Sequence, residues 1–396
     1  MRTVIMMNLR ILPCLLVGGV FVMVCPSCAP VDSPDEKIAS RTESSAVKVF
    51  PVPPPTGLPL GGPSAAAGNN RPLKERIEAA IDQVRHRELL LNNGFWTVFH
   101  GILGLGPSVT LKHPLLGIQV NAVDYIAGGG ELRGLRFIPT EHGIDVENGE
   151  QFVSQGHQDQ FVAEMAQCDL PADRQFQIHG KKYTFMDFVR HSQMRARLNA
   201  NQELSWTIVV VGQYLGTDIS WTNSYGEPLR FEDLVRYEVD ANVEQAACGG
   251  THRLFGLQWA HNLHRRSGGK TEGVWKDLAM EQEKYQRLAQ KYQNPDGSFS
   301  TEFFRSPGNA SDMQLRMNTT GHILEWLAYS LPEARLREEW MERAVNCLAL
   351  MFFEIQNQSM EGGTLYHAAH GLRIYHERVF GDGLGAQKPF LVLPPK

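Results

Sequence analysis

The sequence predicts an all-α chain, an array of antiparallel helical hairpins with one small β-hairpin set into it. Three observations lead there. Apolar residues recur at helical spacing over most of the chain after residue 72, short turns marked by Gly, Pro and Asn separate the predicted helices, and one histidine-centred pattern recurs. Helices joined by short turns pack as antiparallel neighbours. Many such pairs in one chain make either a closed ring or an open stack.

The chain has 396 residues, 42% hydrophobic and 20% charged, enough to bury a sizeable core. Its net charge of −5 and the lack of any Lys/Arg run exclude a nucleic-acid partner from the expectations.

Residues 1–28 read as an export signal. Arg2 and Arg10 flank an apolar run over 11–24, broken by Pro13 and Cys14. The run is shorter than the roughly 18–20 residues of a spanning helix and has the length of a secretory core. Cys25 and Cys28 follow, and each is a candidate lipidation site of a lipoprotein signal. Simple export and an uncleaved membrane anchor stay open beside it. The expected location is therefore periplasmic, extracellular or membrane-anchored. Cys25-Pro-Ser-Cys28 has no second pair downstream, so neither a zinc motif nor a thioredoxin-like one is indicated. Cys168, Cys248 and Cys347 are too dispersed for a disulfide framework and read as small buried residues. Residues 29–70, rich in Pro, Gly and Ser, read as a disordered tether ahead of a folded domain over 71–396.

The first helix starts at Pro72, which suits a first turn, and its apolar positions Leu73, Ile77, Ala80, Ile81 and Val84 carry the pattern to Leu91. Asn92-Asn93-Gly94 stops it, and a second helix over 95–103 completes a hairpin. Gly128-Gly-Gly130 precedes a predicted β-hairpin, so the small β insertion falls near 128–147. The glycines lack a following helix and a Walker lysine, so they do not make a phosphate loop. Further helices are expected over 155–168, 184–198, 203–215, 231–246, 251–266, 276–293, 319–330, 334–357 and 363–377. Thr184 and Asp187 have the spacing of a capping box.

The recurrent pattern is H-x-x-x-[G/W]-L, at His100, His252, His322 and His367. Small residues precede three of the four, and the spacing predicts the histidines on a common rim at helix starts. Gln293-Asn-Pro-Asp-Gly-Ser-Phe299 is similar to the Q-x-x-D-G-S-[WF] turn of terpenoid cyclases and protein prenyltransferases. Thr320-Gly-His-Ile-Leu-Glu-Trp-Leu327 resembles the inner-helix starts of α/α toroids, sugar 2-epimerases among them. The resemblance covers roughly the last 150 residues and extends more weakly back to residue 72. It implies an α/α toroid, a ring of helical hairpins, in which Asp296 and Ser298 cap the helix after the turn. The acidic D-x-D-D run of squalene-type cyclases is missing. The Asp, Cys and His that hold zinc in prenyltransferases have no matching motifs here. The resemblance thus speaks to fold and leaves the chemistry open.

A toroid offers a central cavity, and the residues near its mouth are the candidates. His322, Glu325, Glu203 and His252 are the candidate catalytic residues. Glu325 is three residues after His322, on about the same helix face, and a histidine beside a carboxylate is a usable acid/base pair. The plainer reading has these histidines pinning hairpins through loop carbonyls. Trp206, Trp326, His157, Asp159, His367 and His370 are candidate ligand-binding residues. Glu203 and Trp206 together suit a sugar, by hydrogen bond and ring stack, and the plainer reading is a solvated Glu and a core Trp. His157 and Asp159 open a helix, where Asp159 is equally an N-terminal cap. His261 and His264 read as a basic, solvated helix end. No G-x-S-x-G motif is present, and the sequence assigns neither a cofactor nor a metal. The best expectation is carbohydrate binding or processing in a central cleft. The alternatives are an isoprenoid- or lipid-handling toroid and a non-catalytic protein-interaction scaffold. Glycan or lipid is thus the expected ligand, with a membrane contact only through the N-terminus.

Overall fold

The computed structural model describes residues 71–199 and 203–381. The export segment, Cys25, Cys28 and the tether lie outside the described residues. Among these there are thirteen α-helices and a few small β-hairpins, a mainly α fold. No helix among them is long and apolar enough to cross a membrane.

Six helices are buried on most of their circumference: α2 (Phe95–Leu105), α4 (Gln160–Gln167), α6 (Ser205–Leu215), α8 (Thr251–Arg266), α10 (Met313–Ser330) and α13 (Gly362–Phe380). A helix apolar on every side is one enclosed by others. In sequence order each packs on the next, and α13 packs back on α2. The amphipathic helices bury one face each against this set. They are α1 (Leu73–Arg85), α5 (Phe185–Arg195), α7 (Phe231–Asp240), α9 (Val274–Lys291) and α12 (Glu339–Glu354). Short helices α3 (Ala122–Ala127) and α11 (Glu333–Leu336) complete the count. The most extensive helix contact joins α10 and α13. Gly321 and Gly371 allow it, because a Cβ on Gly371 would lie 2.9 Å from the Glu325 backbone nitrogen and one on Gly321 2.8 Å from the Ala368 Cβ.

The β structure is peripheral. Strands β1 (Leu89–Leu90), β2 (Thr110–Lys112) and β3 (Gln119–Asn121) form one sheet, with β1 parallel and β3 antiparallel to β2. Three antiparallel pairs follow: β4 (Phe137–Thr140) with β5 (Gly143–Val146), β6 (Gln175–Ile178) with β7 (Lys181–Thr184), and β8 (Ser220–Thr222) with β9 (Pro228–Arg230). β7 and β9 run directly into α5 and α7. Asp187 accepts from the Thr184 N–H at 2.7 Å and its hydroxyl at 2.9 Å, which starts α5 where the capping spacing placed it.

Several elements differ from the sequence expectation. The first helix stops at Arg85, because Leu89 and Leu90 pair with β2 in place of continuing it. Helix α10 starts at Met313, six residues early, because Asp312 caps it through the Leu315 N–H at 2.7 Å. The span 334–357 divides into α11 and α12. Asp296 and Ser298 do not cap a following helix. Asp296 accepts from the Ser298 N–H and hydroxyl at 2.9 and 2.7 Å, closing a turn, and pairs with Arg316 at 2.6 Å.

Candidate functional site

The enclosed helices carry polar side chains inward to one buried cluster. His100 comes from α2, Gln160 and Glu164 from α4, His252 from α8, His322 and Glu325 from α10, and His367 and His370 from α13. The histidines do not form a rim of helix starts. His100, His322 and His367 lie a turn or more inside their helices, and only His252 is near its helix's beginning. Ring centroids are 4.3 Å apart for His322 and His367, 5.3 Å for His252 and His322, 5.5 Å for His252 and His367, and 5.1 Å for His100 and His367.

One half of the cluster, the closed half, is a hydrogen-bond network in which Glu164 Oε2 has no partner among the described residues. Glu325 accepts from His367 Nδ1 at 2.8 Å and from His370 Nδ1 at 2.6 Å. The helical spacing paired Glu325 with His322, but the carboxylate points across to α13. His100 Nδ1 faces the Trp96 carbonyl at 2.8 Å, and the Gln160 amide faces both His100 Nε2 at 3.3 Å and Glu164 Oε1 at 3.2 Å. Burial pushes Glu164 well above the usual carboxylate range, and the charge of Glu325 adds to this.

The other half is open. His252 is 6% exposed, and neither ring nitrogen has a hydrogen-bond partner among the described residues. His322 Nδ1 faces the Asn318 carbonyl at 2.8 Å. A carbonyl only accepts, so Nδ1 carries the proton and Nε2 the lone pair. Cys248 completes this half, its thiol within 4.8 Å of a ring nitrogen of each histidine. It lies in a left-handed turn just before α8, at φ 49°, followed by Gly249 and Gly250 at φ 61° and 86°. A Cβ on Gly249 would overlap the Phe303 ring, and one on Gly250 the Val243 carbonyl, so the turn has no room for larger residues.

The imidazoles are held neutral at pH 7. Burial is the first cause, and mutual repulsion among the histidines adds to it. His100 and His252 lie well below the usual imidazole range, His322 is brought down to about 3 and His367 to about 4. Burial also lowers His370 despite its bond to Glu325. Neutral imidazoles offer lone pairs, either to protons or to a metal.

A cleft of about 490 Å³ is lined by Asn148, His157, Gln158, Arg195, Glu203 and Tyr225 among others. His157, 5.4 Å ring to ring from His252, connects cleft and cluster. Its Nδ1 is 3.1 Å from Glu203 Oε2, whereas Glu203 Oε1 is buried without a partner among the described residues. Burial would raise the Glu203 carboxyl, but the His157 hydrogen bond and charge, with Arg253, outweigh it and hold it below its ordinary value. The Trp206 ring is 4.8 Å from that of His252. Trp326 is turned away to the outer layer, donating to Gln282 at 2.7 Å. Asp159 does not cap α4. It accepts from Ser192, Arg195 and Thr207 at 2.7, 2.5 and 2.6 Å and so ties α5 to α6. His261 and His264 are half-buried at a basic helix end whose Arg265 and Arg266 are exposed; both stack on Trp275, and burial brings His261 down to about 4.

Sequence reasoning missed Glu164, Gln160 and Cys248. A lone carboxylate amid Phe161-Val-Ala-Glu-Met-Ala166 was the available signal for Glu164, and the C-x-x-x-H spacing to His252 was the signal for Cys248. Comparison with known proteins finds no matching family model, curated protein or solved structure.

Proposed function

We propose that the chain is an exported α/α toroid whose polar cleft binds and processes carbohydrate. The return of α13 onto α2 supports a closed ring of six inner helices. The observation that carries the ligand class is the cleft itself, lined by hydrogen-bonding side chains, among them Glu203, whose Oε1 has no partner among the described residues. A hydroxyl-rich ligand supplies the missing donor at that oxygen. Arg195 and Arg197 at the cleft are already paired, with Asp145 and Asp159 and with Glu227, which favours a neutral sugar over an anion. Tyr225 lends an aromatic face, with Arg197 4.1 Å over its ring. Such a lining disfavours an isoprenoid tunnel, and buried convergent carboxylates and imidazoles disfavour an inert scaffold. The N-terminal export signal would expose the cleft to cell-surface glycans.

Thermal unfolding of the full-length chain against neutral glycans and isoprenoid phosphates tests this. A glycan at roughly a hundred times its Kd is expected to stabilise by about 2.7 kcal/mol. The shift should vanish in Glu203→Gln and persist in Glu283→Gln, whose carboxylate is exposed on α9. A shift with isoprenoid phosphates alone, or with no ligand at all, would overturn the carbohydrate reading.

A further inference from the structure

We propose that Cys248, His252 and His322 are the protein ligands of a single transition-metal ion of the zinc class. The inference does not depend on the carbohydrate reading.

The donor atoms of these three residues lie within 4.8 Å of one another, so the centre of their triangle is at most about 2.8 Å from each. Bonds from Zn²⁺ are about 2.0–2.1 Å to imidazole and about 2.3 Å to thiolate, so small side-chain rotations close the site. A second group, His100, Glu164 and His367, meets the same distance limit. Glu164 Oε2 in that group has no partner among the described residues, but only the first group holds a side chain unpartnered at both of its ligating atoms. In the second group the Gln160 amide already faces His100 Nε2 and Glu164 Oε1. In the first, His252 is more than nine-tenths buried with both nitrogens unpartnered among the described residues. A buried polar group without a partner is costly, and a bound ion supplies the partner.

The surrounding structure is that of a ligand set. The Asn318 carbonyl fixes the tautomer of His322 and turns its Nε2 lone pair outward, as an outer-shell acceptor does for a metal-bound imidazole. Cys248 occupies a strained left-handed backbone that the crowded Gly249 and Gly250 enforce. That turn brings the thiol to the start of α8 within reach of His252, four residues on. One sulfur and two imidazole nitrogens suit a borderline-soft ion such as Zn²⁺ or Co²⁺ and not Mg²⁺ or Ca²⁺, which take oxygen. On binding, the Cys248 S–H bond breaks, its proton passes to solvent and the thiolate pair forms the metal–sulfur bond. Three protein ligands leave one position for water or a bound molecule.

The test uses the full-length chain, stripped with a chelator and titrated with Co²⁺ alone, then with Zn²⁺ in competition. Roughly one equivalent of Co²⁺ should give the intense visible bands of a tetrahedral site and a near-ultraviolet sulfur-to-cobalt band. Cys248→Ser should lose the sulfur band and His252→Ala should weaken affinity at least about 100-fold. Cys347→Ser, a buried thiol on α12, should change neither. His252→Gln serves where the alanine variant fails to fold, as judged by far-ultraviolet circular dichroism. An absent or octahedral cobalt spectrum, or a sulfur band that survives in Cys248→Ser, would overturn the proposal. Failure of glycans to bind would leave it standing, because the readout is the metal spectrum.

Discussion

The two halves of the buried cluster use the same residue types and differ in what their nitrogens face. Around Glu325, every Nδ1 is met: His367 and His370 share one carboxylate from α10. Around Cys248, His252 meets no acceptor or donor among the described residues. Glu325 therefore joins α10 to α13 through its own hydrogen bonds, and His252 is left for a partner that is not protein. Buried polar groups earn stability only when partnered, so the two halves should respond unequally to loss of a polar side chain.

The largest effect is expected from the backbone that shapes the open half. Gly250→Ala places a Cβ on the Val243 carbonyl at a residue with φ 86°, and should cost about 3 kcal/mol or more in urea unfolding. Next is the closed half. Glu325→Gln keeps one carbonyl oxygen for two imidazole N–H groups and should cost about 2–4 kcal/mol by the same measurement. A cost under about 0.5 kcal/mol would show that the two bonds contribute no stability and dissolve the distinction.

Acid should weaken the chelator-treated chain. His100, His252, His322 and His367 are held below their ordinary values by burial, so the unfolded chain binds their protons first. Their contribution is full above about pH 6.5 and is lost as the pH falls towards the folded values, near 3 to 4 for His322 and His367. Each proton taken up steepens the slope by about 1.4 kcal/mol per pH unit. Glu164 is raised, so its contribution is present at low pH and lost as the pH rises through its folded value, opposing the histidines. The lowered imidazoles, His261 and His370 included, outnumber the raised carboxyls Glu164 and Glu377 and leave a net loss on acidification, measurable as a falling melting temperature between about pH 6.5 and 5.

The smallest effect is the most discriminating. In metal-free protein His252→Phe should change stability by no more than about 1 kcal/mol, because no hydrogen bond is lost. His367→Phe should cost about 2 kcal/mol, because it strands a Glu325 oxygen. Equal costs at the two positions would show that the halves do not differ.

Much of this was legible in the residues, and the limit has a physical cause. Helix α8 was read at its observed bounds, because Gly250 and the turn of Gly268 punctuate an uninterrupted helical pattern. The sheet β1–β2–β3 and the pairs β6–β7 and β8–β9 were not foreseen, because two to four residues give too few alternations to separate a strand from a turn. The repeated histidines were noticed, but their convergence depends on which helices pack. Spacing along α10 offered Glu325 to His322, and packing gave it to α13. Glu164 joins the cluster from a helix far in sequence from α8, α10 and α13, which no local spacing encodes, whereas Cys248 lies only four residues before His252.

The division between the halves is most directly tested by anomalous diffraction at the zinc edge, from crystals of the full-length chain grown with Zn²⁺. One peak bounded by Cys248 Sγ and the rings of His252 and His322 is expected, with none among His100, Glu164 and His367. A peak in the second group, alone or beside the first, or no peak in either, would contradict it.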